Sequence, residues 1–170
     1  MKILQKALIG CVAITAMVLL LSSAMLAATG SATLTINATV ASRAEIALAP
    51  TTINFPDASP TVTPSIAADN PVAVTARVRT GRTTAATLTV AAPADLISGS
   101  DTIAINNVSW TASGAPFIAG TMNSTTPQNA ATFANGSGLF SGTFNFFLAN
   151  SWAYNIGSYS GIVTYTLTAP

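Results

Sequence analysis

Asp95 and Asp101 flank the stretch LISGS, and they come nearest in this chain to a catalytic pair. Glycosidase-type acid and base work needs two carboxylates facing one cleft at a set separation. Two aspartates at the ends of one short polar turn are more simply turn residues, because the Asp side chain bonds to nearby backbone. Calcium held by the same pair and neighbouring carbonyls lacks the EF-hand spacing or acidic repeat that such sites use. Nucleophilic chemistry fails for want of parts. There is no histidine, and Cys11, Lys2 and Lys6, the chain's only cysteine and lysines, all lie in an N-terminal apolar segment. Beyond that segment, Ser–His and Cys–His pairs, lysine Schiff bases, lysine isopeptide crosslinks and His- or Cys-based zinc sites are excluded. The residues therefore describe a protein that is not an enzyme and uses no cofactor and no metal.

The other polar groupings are equally spare. Asn-X-Ser/Thr sequons at Asn37, Asn107, Asn123 and Asn135 are what chance provides in a chain so rich in Asn, Ser and Thr, and they matter only in a glycosylating host. Arg77, Arg79 and Arg82 form the one basic cluster. Its reading is a solvated strand edge that discourages stray pairing. Thr-X-Thr recurs in TLTI, TLTV and TYTLT. The pattern is similar to ice-binding faces, although threonine is also simply a good strand residue.

The N-terminus reads as a secretory signal peptide over 1–28. Lys2 and Lys6 are its basic region, Ala7 to about Leu21 its apolar run, and SSAMLAATGSA its small-residue region, with cleavage after Ala24 or after Ala28. LIGC at Leu8–Cys11 has the form of a lipobox but precedes most of the apolar run, so lipidation of Cys11 is disfavoured. Past this leader, four arginines stand against five carboxylates, a net charge of −1. Nucleic acid and anionic membrane are excluded as partners, since both need a basic surface. The expected location is outside the cell or at its surface.

After Gly30 the apolar residues alternate at period two, between clusters of Gly, Pro, Asn and Asp. The runs expected as strands are SATLTINATV, RAEIALA, TTINF, VAVTARVR, AATLTVAA, DTIAI, VSWTA, ATFA, LFSGTFNFFLA and YSGIVTYTLTAP. PDASPTVTPSIAADNP and GAPFIAGTMNSTTPQN read as loops, the second with a short edge strand, and Asn106–Asn107 as a turn or bulge. Short strands at this spacing predict an all-β, immunoglobulin-like sandwich spanning 41–170. Candidate core residues are Trp110, Phe144, Phe146, Leu148, Tyr159 and Val163, with Trp152 and Tyr154 pinning the corner before the last strand. Core packing is the simpler reading of these aromatics than a carbohydrate-stacking platform.

A leader, an alternating first strand, then ATVASRAEIAL and TINF, and a tyrosine-bearing last strand GSYSGIVTYTLT form an order that resembles the spore coat protein U family and the related archaic chaperone–usher pilins. The resemblance implies an incomplete sandwich whose missing strand is supplied by a neighbouring subunit. The donor strand would lie in 29–40, inserting Leu34, Ile36, Ala38 and Val40. The acceptor groove would be bordered by the last strand, with Ile162, Val163, Tyr165 and Leu167, and by an early strand near Ala44–Leu48. The implied partners are copies of the same chain, joined head to tail, with a periplasmic chaperone and an outer-membrane usher assisting. Ala44 stands where the family commonly has a cysteine, and NFP where it more often has Phe followed by Gly. Stability then falls to core packing or to strand complementation. The alternative is a self-contained secreted binding or adhesion module whose first strand completes its own sheet.

Overall fold

The computed structural model describes residues 29–134 and 137–170; the leader at 1–28 and the Asn135 sequon lie outside them. The described chain is an all-β sandwich, built within the unit Thr39–Pro170. In chain order its strands are β1 (Arg43–Ala49), β2 (Ser65–Ala67), β3 (Val72–Arg79), β4 (Ala86–Ala91), β5 (Leu96–Ser98), β6 (Asp101–Ile103), β7 (Val108–Ser113), β8 (Gly120–Thr121), β9 (Gln128–Phe133), β10 (Gly138–Ala149) and β11 (Thr164–Thr168).

One sheet runs β1-β3-β10-β7-β8, with the short β2 also on β10. The second runs β11-β4-β9, and β5 and β6 form a separate hairpin. Every pairing is antiparallel. An immunoglobulin sandwich orders its strands A-B-E-D in one sheet and C-F-G in the other. Here β1, β3, β10 and β7 take the places of A, B, E and D, and β4 and β11 those of C and F. No strand among the described residues takes the place of G, beside β11.

Strand parity builds the core. Val72, Val74, Ala76 and Val78 of β3 are buried, while Ala73, Arg77 and Arg79 between them are exposed. From the facing sheet, Ala86, Leu88 and Val90 of β4 meet them. Phe144 of β10 is fully buried at the centre. It packs edge-on to Phe117 at 5.7 Å, Trp110 at 6.5 Å and Phe146 at 6.4 Å, and stacks on Tyr165 at 5.9 Å. In β9 the register shifts by one residue, from Leu88 opposite Ala131 to Thr89 opposite Asn129. This bulge lets two consecutive residues, Ala130 and Ala131, both face inward, where only a small side chain fits.

Several expectations change. TTINF forms no strand: its Ile53 and Phe55 are half-buried, and Asn54 is held by Asp69 instead of by a ladder. The Asn54 backbone N–H donates to Asp69 Oδ1 at 3.0 Å and its Nδ2 to Oδ2 at 2.8 Å, which keeps the Asp69 carboxyl below the ordinary carboxylate range. The proline-dotted loop contains β2, and LIS, read as a turn, is the strand β5, turning at Gly99 with φ +61°. Asn106 and Asn107 form a turn as expected, a single 3₁₀ turn at Ile105–Asn107. Arg77 and Arg79 do not guard an edge, since β3 is paired on both sides; Arg77 instead meets Glu45 of β1 at 3.6 Å on the exposed outer face. Phe117, Met122 and Phe133, absent from the expected core, are buried within it.

Gly142, opposite Val74, is where the Phe117 ring and the Ser113 carbonyl press on the β10 backbone, leaving no room for a Cβ. Gly142→Ala should therefore overpack the core and lower stability by about 1–3 kcal/mol. In urea unfolding this appears as a lower midpoint with an unchanged slope.

Candidate functional site

An alternating strand earns its burial only by joining a sheet. Residues 29–42 join none: they lie in no strand or bridge and every one is exposed. Leu34 is 84% exposed, Ile36 83% and Val40 69%, with Ala38 exposed beside them. The first run, expected as a strand, is thus an apolar row with no ladder of its own. Its alternate positions, Thr33, Thr35, Asn37 and Thr39, are uniformly polar and uncharged.

The sandwich has a matching deficit. β1 is the edge of one sheet and β11 the edge of the other, and their Cα atoms approach within 8 Å without sharing a ladder. Both strands cover the core only partly. Ile46 and Leu48 of β1, Tyr165 and Leu167 of β11, and Val163 just before it are half-buried against the core cluster. Inner strands β3 and β4 instead bury their inward side chains almost completely. Parity in RAEIALA marks Ile46 and Leu48 as the inward residues of the early strand near Ala44–Leu48.

Of the residues assigned to the last strand, Val163, Tyr165 and Leu167 share the inward row. Ile162 does not. It precedes β11, has the opposite parity, is 77% exposed, and lies with Ile97 on a shallow hollow beside Pro93 and Gly161. The strand is shorter than YSGIVTYTLTAP suggested because Ser160 is taken by the hairpin, exchanging backbone hydrogen bonds with Ile97 at 2.9 and 3.0 Å. Tyr165 faces the core from this open edge, its ring within 19° of parallel to Phe144. Burial pushes its hydroxyl well above the usual tyrosine range.

The structure separates the two aspartates. Asp101 lies opposite Ser98 at the turn of the β5–β6 hairpin and accepts a hydrogen bond from Asn155 Nδ2 at 2.8 Å. Asp95 lies at the other end and accepts the Ile105 backbone N–H at 2.8 Å. Each does structural work in its own loop. Among the described residues no three His, Cys, Asp or Glu side chains gather to hold a metal ion. The sequon asparagines are similarly occupied or remote: Asn107 ends the 3₁₀ turn, Asn123 Oδ1 accepts the backbone N–H groups of Thr125 and Thr126, and Asn37 is in the unpaired segment. At the corner, the Tyr154 hydroxyl donates to the Ala149 carbonyl and that of Tyr159 to Asn155, both at 2.9 Å. Trp152 is 75% exposed and donates to Thr61 Oγ1 at 3.2 Å.

The chain matches no known family model, and no curated protein matches it in sequence. The geometry therefore carries the functional argument.

Because Tyr165 keeps its proton in the folded state beyond the pH at which an unfolded tyrosine loses it, near 10, the unfolded chain binds fewer protons there. Folding stability should then fall as pH rises above about 10. Urea unfolding at pH 8 and at pH 11 should show this loss, and Tyr165→Phe should remove a large part of it.

Proposed function

We propose that this chain is a secreted structural subunit of a surface fibre or coat, assembled head to tail by strand exchange. The observation that carries the reading is a complementary pair of features within one molecule. One is an exposed apolar row without a sheet, at Leu34, Ile36, Ala38 and Val40. The other is an immunoglobulin-like sandwich without a strand beside β11, whose inward residues Val163, Tyr165 and Leu167 are left half-covered. A strand added at a free sheet edge gains a ladder of backbone hydrogen bonds, and its alternate side chains fill the pockets beneath. Burying Leu34, Ile36 and Val40 contributes about 1.5–3 kcal/mol each.

The link to the rest of the chain favours a neighbour over the molecule itself as acceptor. Only Ala41 and Ser42 separate Val40 from β1 at Arg43. A two-residue hairpin back onto its own β1, the commonest tight connection, calls for positive φ and hence for Asn, Asp or Gly. Ala and Ser do not supply it. A contact in which one copy's strand enters the next copy's sandwich does not close on itself, and so it propagates as a fibre. The resemblance to the spore coat protein U family and archaic chaperone–usher pilins points the same way and brings a periplasmic chaperone and an outer-membrane usher as assembly partners. Under this reading the net charge of −1 suits a surface that is partly covered by its neighbours.

Ile36→Asp places a charge where the donor side chain enters the groove, and an unpaired buried charge is costly. The variant should be exported and folded, should form no fibres by negative-stain microscopy, and should still accept a wild-type donor strand. Deleting residues 29–40 should abolish fibres in the same way. An Ile36→Asp monomer that unfolds would instead assign the strand to its own sheet.

A further inference from the structure

The Thr-X-Thr stretches of β4 and β11 meet on one face. On the outer side of the β11-β4-β9 sheet, the register aligns Thr168, Thr87 and Thr132 in one row and Thr166, Thr89 and Asn129 in the next. Thr164 beside Ala91 begins a third row. Along β11 and β4 the rows are about 6.8 Å apart, and neighbours within a row about 4.8 Å apart; on β9 the bulge sets Asn129 and Thr132 three residues apart, so the regular part of the array is the threonines of β11 and β4. None of these positions carries a charge or a large apolar side chain. Asn129 Nδ2 donates to Thr132 Oγ1 at 3.1 Å, so the β9 end of the array is tied together.

We propose that this face binds ice. A threonine side chain carries one hydroxyl that both donates and accepts, beside one methyl, on a β-branched stem that is stiff at χ1. Repeated at two fixed spacings on β11 and β4, such groups form a rigid two-dimensional array of hydroxyls separated by apolar patches. Ice presents a lattice of donors and acceptors at comparable spacing, and holding the array in one arrangement costs little side-chain entropy. The chemistry of the face disfavours other occupants. An anionic polymer needs basic groups, and the face has none. A protein partner needs aromatic or arginine anchors, which are also missing.

A further such stretch, Thr33–Ile36, lies in the unpaired segment. If a neighbour's strand pairs with β11 and turns Leu34 and Ile36 inward, its Thr33, Thr35, Asn37 and Thr39 add a fourth rank of the same composition. Only this widening rests on the strand-exchange reading; the array on β11, β4 and β9 stands without it.

The test is partition of the exported, leader-free protein into a slowly growing ice front, against an inert protein of similar size. Wild type should be enriched in the ice. Thr166→Lys/Thr168→Lys, which puts two charges on the exposed side of β11, should be excluded to the level of the inert reference. Thr111→Lys, on the exposed outer side of β7, should be enriched like wild type. Thr132→Lys repeats the test from the other side of the array, and urea midpoints establish that each variant is folded. Exclusion of wild type from ice overturns the proposal. So does enrichment of folded Thr166→Lys/Thr168→Lys, or binding to crystalline cellulose with exclusion from ice. An Ile36→Asp variant that makes no fibres and still enters ice keeps the two proposals separate.

Discussion

The edge of β11, which no described strand pairs, is the constraint on which the rest of this molecule turns. A sheet edge exposes unpaired backbone groups, and here it also leaves an apolar row half-covered, with Tyr165 stacked on the central Phe144. Monomeric proteins blunt such edges with charge, proline or a covering segment. Residues Thr164–Thr168 carry none of these, and the nearest prolines and charges lie outside the strand. The sandwich therefore holds its core together from the centre outward. It is dense at Phe144, Val74 and Leu88, and thins toward β1 and β11.

The packing that compensates is made from small, uncharged parts. With four arginines and five carboxylates after residue 28, ion pairs contribute little, and the Arg77–Glu45 contact is exposed on an outer face. Side chains that bond to backbone hold the loops instead. Asn54 and Asp69 clasp two loop segments, Asn150 Nδ2 donates to the carbonyls of Ala58 and Thr63, and the Trp110 indole N–H donates to the Ile118 carbonyl over Gly120. The described sandwich relies on the aromatic cluster around Phe144, a core of a size that folds without staples.

These features bear on function together. The hairpin β5–β6 takes Ser160 and shortens the last strand, and Ile162, of opposite parity, faces out, so Val163, Tyr165 and Leu167 form the inward row at this edge. The same sheet turns its threonines outward, so a strand that joined β11 would bury its apolar side and display a polar side of matching type. One alternating segment would then serve two surfaces at once.

Much of this was legible in the residues. Period-two runs such as VAVTARVR and TLTV located β3 and β4 and their buried faces, because alternation and burial are the same fact in a strand. The absence of histidine, and of cysteine and lysine after residue 28, excluded Ser–His, Cys–His, Schiff-base and His- or Cys-zinc chemistry there without any structure. Tertiary structure alone decided where alternation does not become a strand. TTINF is held by Asp69, fifteen residues after Asn54, because a hydrogen bond distant in sequence overrides local propensity, while LIS becomes a strand by pairing with the segment just across Gly99 and Ser100. It also decided that Ile162 faces solvent, that Asp95 and Asp101 serve different loops, and that threonines far apart in sequence share one face. A strand's partners lie elsewhere in the chain, and a sequence pattern records a wish to pair without recording with what.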